Sequence, residues 1–155
     1  MWEGKEALTD EEKKLPYAEF YDMETPAPDP ELFRVIEKSM DPPKALPIER
    51  INDLLNPGYL EAERGWCVLP NGCGYVSAMC EMPDVTTEMF NWWFAWHGMA
   101  DLRYKIWWPW GHYAIYVNEE AQKIIRDPSR PLTEKFQGIT HHLAEDIGTG
   151  CTEMD

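Results

Sequence analysis

The chain has 155 residues, enough for one domain with a real core. Lys and Arg total 14 against 28 Asp and Glu, a formal net charge of -14, which argues against any partner held through a phosphate backbone, so nucleic acid is not expected. No apolar run approaches the roughly 18 residues of a membrane helix, and Met1-Trp-Glu-Gly-Lys-Glu lacks the apolar core of a secretory signal; a soluble, cytoplasmic protein with no membrane partner is expected.

Residues 1–63 read as an acidic arm rich in proline (Pro16, Pro26, Pro28, Pro30, Pro42, Pro43, Pro47, Pro57). Short helical patterns run from Glu31 to Met40 and from Ile48 to Leu55. Leu32, Val35, Ile36 and Met40 recur at near-helical spacing, so the arm is expected to dock and not float. From residue 64 the character changes. Trp66-Cys-Val-Leu, the turn Pro70-Asn-Gly72 and Tyr75 to Cys80 predict a hairpin, because Asn-Gly favours the positive φ angles of tight turns. A helix follows, with Thr86 or Thr87 as N-cap, Glu88 in the first turn and Gly98 at its end. Arg103 to Trp108 and His112 to Val117 read as extended, interrupted at Pro109. Glu119 to Arg126 reads as a short exposed helix closed by Asp127-Pro128. Phe136 to Ile147 alternates like a strand, with Ile139, His141, Leu143, Glu145 and Ile147 on one face. Cys67, Cys73, Cys80 and Cys151 show neither a C-x-x-C pair nor zinc-ribbon spacing; free, mostly buried thiols are expected, with a strand-neighbour disulfide as the alternative.

Residues 91–112 hold six of the eight tryptophans and two of the four histidines. Aromatic rings at that density suit a wall for a flat ligand, with His97, His112 and Tyr104 as the few polar groups an apolar pocket uses for orientation or chemistry. Each candidate also has an ordinary structural role. His97 is placed to bind carbonyls at a helix end, Tyr104 to pack with its hydroxyl on backbone, and His112 to sit satisfied in the core. His141 and Glu145 share a strand face and can face solvent or pair with each other, while His142 points the other way, and the tryptophan stripe can be core.

The string Pro83-Asp-Val-Thr-Thr-Glu-Met-Phe-Asn-Trp-Trp-Phe-Ala-Trp-His97, continued by Arg103-Tyr-Lys-Ile-Trp-Trp-Pro-Trp-Gly-His112, resembles the phloretin hydrolase and diacetylphloroglucinol hydrolase family. The resemblance runs from about Gly65 to Gly150 and implies an α+β helix-grip fold, like that of the birch-pollen allergen. It also implies a zinc-dependent hydrolase that cleaves the carbon-carbon bond between an acyl group and a phloroglucinol-type ring. It assigns His112, which closes the W-x-P-x-x-H pattern, and Glu145, which precedes a glycine in Glu145-Asp-Ile-Gly148, as zinc ligands. Tyr104, eight residues before His112, becomes a catalytic and substrate-contacting residue, with Trp92, Trp93 and Trp96 as the ring clamp.

The family's other two ligands, a histidine and a glutamate four apart on a helix, belong to its C-terminal half, so residues 64–155 are expected to be the front part of an incomplete domain. That expectation carries a partner: a missing C-terminal half or a homo-oligomer. Two alternatives stand beside hydrolysis of an aromatic small molecule. One is a non-catalytic helix-grip module that binds an aromatic metabolite without metal; the other is an inactive truncated half that works by interaction.

Overall fold

The structure, a computed structural model, describes residues 5–27 and 29–146. Two compact units are present: one gathers the described residues of Met1–Glu24 and Asp84–Asp155, the other those of Thr25–Pro83. The sequence reading draws one line at residue 63, whereas the chain packs with lines after 24 and after 83.

In the Thr25–Pro83 unit, α1 (Pro30–Ile36) starts with Asp29 accepting from the Glu31 amide at 2.9 Å and proline at its first position, where a missing amide hydrogen costs nothing. It packs on β1 (Arg64–Val68), and the Trp66 indole donates to the Ile36 carbonyl at 2.7 Å. β1 pairs antiparallel with β2 (Gly74–Ala78) in the register Trp66 to Val76. The turn is the expected one: Gly72 has φ +84 and its amide reaches the Leu69 carbonyl at 2.8 Å. Ile48–Leu55 is 3-10 helix with a kink at Arg50.

The other unit carries the aromatic stretch. α2 (Thr87–His97) begins where Thr86 caps the Met89 amide and ends at Gly98, as the sequence predicts. α3 (Asp101–Trp107) corrects the expectation of extended chain at Arg103 to Trp108. Its β-branched and aromatic content mimics a strand, but helical spacing is what buries Leu102 and Lys105 together, and the residue before Pro109 ends it. The Asp101 carboxylate accepts from the Ile115 amide at 2.9 Å, fixing the start of α3 to β3 (His112–Tyr116).

α4 (Glu119–Arg126) is capped by Asn118. The strand expected over Phe136 to Ile147 is shorter: Leu132–Lys135 is a 3-10 turn, Gly138 takes φ +73, and only His142–Glu145 pairs, as β4, with β3. Ile147 lies outside the described residues. The architecture is α+β with two two-stranded antiparallel sheets among the described residues; the helix-grip assignment rests on the resemblance.

The segment 5–24 is bound to α3 and the loop after it. Lys105, nearly buried, meets Glu12 at 3.0 Å and Glu6 at 3.7 Å, and the Tyr21 hydroxyl donates to the carbonyls of Glu6 and Pro109. Arg103 lies over the Tyr17 ring. Cys67 is buried and free, but Cys73 and Cys80 are free and exposed, correcting the expectation of mostly buried thiols; Cys151 lies outside the described residues. No helix of the described residues is long and apolar enough to cross a membrane.

Candidate functional site

Antiparallel pairing of β3 with β4 sets His112 directly opposite Glu145. Side chains so placed stand about 5 Å apart at Cβ, and here His112 Nε2 lies 3.6 Å from Glu145 Oε2. Gly111 makes the approach possible. A Cβ there would sit 2.6 Å from the Asp146 carbonyl and 2.8 Å from the Trp108 ring, so only glycine lets the backbone enter the strand at this point.

Tyr104 of α3 holds both partners. Its ring lies flat on His112, with centroids 3.8 Å apart and planes 4° from parallel. Its carbonyl lies 3.1 Å from His112 Nδ1, and its hydroxyl donates to Glu145 Oε2. Burial, the bond to Glu145 and that carboxylate's charge all push the Tyr104 phenol well above its ordinary value, so it keeps its proton at neutral pH.

The carbonyl of Tyr104 can only accept, which puts the His112 proton on Nδ1 and leaves Nε2 of the neutral ring with its lone pair toward Glu145. Burial lowers the His112 pKa most, and the Tyr104 carbonyl and the Glu145 charge oppose this without reversing it. An electron-rich nitrogen thus faces an electron-rich oxygen in a site where Tyr104 is 2% and Glu145 8% exposed. That arrangement favours a cation between them.

A tier of rings backs the pair. Trp107 stands edge-on to His112 at 5.1 Å and to His97 at 6.0 Å. His97 binds the Trp93 carbonyl through Nδ1 at 2.9 Å, the helix-end role read from the sequence, and its ring stacks on Trp93 at 5.7 Å. His141, just before β4, meets the His97 ring at 4.9 Å, and its buried Nε2 has no hydrogen-bond partner. His142 points the other way and stacks on Tyr116 at 4.4 Å.

Residues 46–155 match the family described as the DAPG hydrolase PhiG domain. The chain belongs to this family. It is similar to phloretin hydrolase of Eubacterium ramulus, 35% identical over 149 residues that cover 94% of this chain and 54% of the relative. It is 31% identical to 2,4-diacetylphloroglucinol hydrolase of a Pseudomonas sp. over 142 residues, covering 88% of this chain and 46% of the relative. The same enzyme of Pseudomonas protegens (strain DSM 19095 / LMG 27888 / CFBP 6595 / CHA0) matches at 31%, covering 88% of this chain and 44% of the relative. The chain spans about half the length of these curated relatives.

The family's implied ligands are therefore brought together, and the implied clamp is divided. Trp93 faces the His112 cluster through His97 and Trp107. Trp92 and Trp96 instead stack on each other at 5.0 Å and line a separate cleft. A helical residue advances about 100° around the axis, so positions 92 and 96 look a different way from 93 and 97. Trp107 and His141 were not singled out as site residues by the sequence. Only the parity of His141 with Glu145 offered a signal, and Trp107 offered none once α3 was read as extended.

The residues fit the first two positions of a zinc site. Nitrogen and oxygen donors about 2.1 Å from a tetrahedral ion stand about 3.4 Å apart, close to the 3.6 Å between His112 Nε2 and Glu145 Oε2. A ring nitrogen tied to a carbonyl, as His112 Nδ1 is, is the usual support for a ligating histidine. No group of three or more His, Cys, Asp or Glu placed to hold a metal occurs among the described residues.

Proposed function

We propose that this domain serves a zinc-dependent hydrolysis of the carbon-carbon bond joining an acyl group to a phloroglucinol-type ring, with His112 and Glu145 among the metal's ligands. The names of the relatives, hydrolases of phloretin and of 2,4-diacetylphloroglucinol, support the substrate class. The observation that carries the metal reading is the lone pair of His112 Nε2 aimed at Glu145 Oε2 across 3.6 Å.

Zinc, when bound, supplies Lewis acidity and brings water to its reactive form near neutral pH. In the reaction, water adds at the acyl carbonyl, the bond to the ring carbon breaks, and that carbon takes up a proton. The products are a carboxylic acid and the deacylated ring. Tyr104 donates its phenolic hydrogen to Glu145 and orients that carboxylate with it, which leaves the phenolic oxygen to accept from a ring hydroxyl of the substrate. Trp107 stands edge-on against the His112 ring, and Trp93 backs Trp107.

A second reading is a module that binds an aromatic ring without metal or catalysis. The parallel stack of Tyr104 on His112, within a further tier of rings, favours it. Metal analysis separates the two. Purified chain should bind zinc, and His112→Ala should weaken that binding at least about tenfold, since one of very few ligands is lost. Equal zinc affinity in wild type and His112→Ala would favour the metal-free module.

A further inference from the structure

The cleft that receives Trp92 and Trp96 lies on the same unit as the His112 pair but shares none of Tyr104, His112 or Glu145. It is open, about 320 Å³, and its walls include Trp92, Trp96, Arg103, Arg126, Leu132 and Lys135. Such a volume is at the small end of ligand pockets, the size of one ring with a short tail.

One wall is aromatic. Trp92 stacks on Trp96 and is 48% exposed, so a ring face is offered to an incoming molecule. The rest of the polar lining is cationic. Arg103 sits over the Trp96 ring at 4.5 Å, and its guanidinium donates to the Trp96 carbonyl at 2.9 Å and the Tyr17 hydroxyl at 3.2 Å, both neutral groups.

The ion pairs of the described residues include neither Arg103, Arg126 nor Lys135. Asp127 feels the charge of Lys135 but is bonded to Ser129 and faces Arg130, and no carboxylate lines the cleft. In a chain of net charge -14, three cations converging without an acidic partner is a local reversal of sign. Combined with a stacking face, it selects a flat anion.

We propose that this cleft is a second binding site, for a small aryl carboxylate, with the ring on Trp92 and Trp96 and the carboxylate held by Arg126 and Lys135 beside Arg103. Hydrolysis of an acyl-ring bond releases a carboxylic acid, so an aryl acid product fits this site; that last link rests on the proposed function, whereas the binding itself does not.

The test is calorimetric titration of the 155-residue chain with 3-phenylpropionate and with its neutral amide. The acid should bind at least about tenfold more tightly than the amide. The double variant Arg126→Gln, Lys135→Gln should weaken the acid about tenfold or more and leave the amide unchanged. Trp92→Ala should weaken both probes. His112→Ala should change neither, which keeps this site distinguishable from the zinc site whether or not hydrolysis is established. Arg126 and Trp92 are exposed, and the fold of each variant is to be checked by circular dichroism before titration. Equal affinity for acid and amide, no binding of either, an unaffected double variant, or loss of binding in His112→Ala would each overturn the proposal.

Discussion

Three groups of Tyr104 do separate work: the ring stacks on His112, the carbonyl fixes its tautomer and the hydroxyl holds Glu145. Tyr104→Phe removes only the last. Zinc binding by the variant should stay within a few-fold of wild type, while hydrolysis of an acylphloroglucinol by protein carrying this domain should fall roughly ten- to hundredfold, the usual effect of losing a group that orients a ligand. Turnover equal to wild type would reduce the hydroxyl to a packing role. Gly98 makes a purely steric test. Its φ of -67 suits any residue, so no left-handed cap requires glycine here, but a Cβ there would lie 2.9 Å from His141 Nε2. Gly98→Ala should therefore destabilise by about 1–3 kcal/mol, the cost of overpacking, as read from denaturant melts.

At the scale of elements, sequence rules held where the signal was local. Thr86 as cap, Gly98 as stop, the Asn71-Gly72 turn and the span Glu119–Arg126 need only neighbours to be read, and all four are in place. Thr86→Ala should cost about 1 kcal/mol through loss of the bond to the Met89 amide, measurable in urea. The misreading of α3 came from a run, Arg103-Tyr-Lys-Ile-Trp-Trp, whose residue types favour strands while its neighbours in space favour a helix. The candidate pair, His112 and Glu145, was named through the motif alone. Their contact was not, because it depends on the register of β3 against β4, and the split of the tryptophans between two faces depended on the rotation of α2.

The segment 5–24 lies outside the span of the family match, yet its Glu12 reaches Lys105 on the helix that carries Tyr104. Burial raises the Glu12 pKa, but bonds from Thr9 and Lys105 more than offset this and leave it lowered. A carboxyl held below its unfolded value adds stability at neutral pH that is lost as pH falls through the carboxylate range. Glu12→Gln should accordingly speed proteolytic cleavage within residues 5–24; an unchanged cleavage rate would show that the segment is held by Tyr17 and Tyr21 instead.

For the whole molecule, acid should act earlier than carboxylate titration alone suggests. Burial lowers the pKa of His97, His112 and His141, so the unfolded chain takes up their protons first. Stability from this source is full above the unfolded value of about 6.5 and declines as pH drops below it toward the folded values. In buffer with chelator, the melting temperature should fall between pH 7.5 and pH 5.5, and a flat profile over that interval would count against three neutral imidazoles held below their ordinary value.

The placement of these rings along the chain also implies an order of assembly. Tyr104 and His112 lie on adjacent elements, α3 and β3, and a short loop closure brings them together at small entropic cost. Glu145 arrives only after the chain has run out through α4 and back to β4, a contact of much longer reach. The histidine half of the site is thus a local product of folding, and the carboxylate is its late-arriving counterpart. Whatever secures or loosens β4, a strand of four residues, therefore decides whether the carboxylate stays against the histidine.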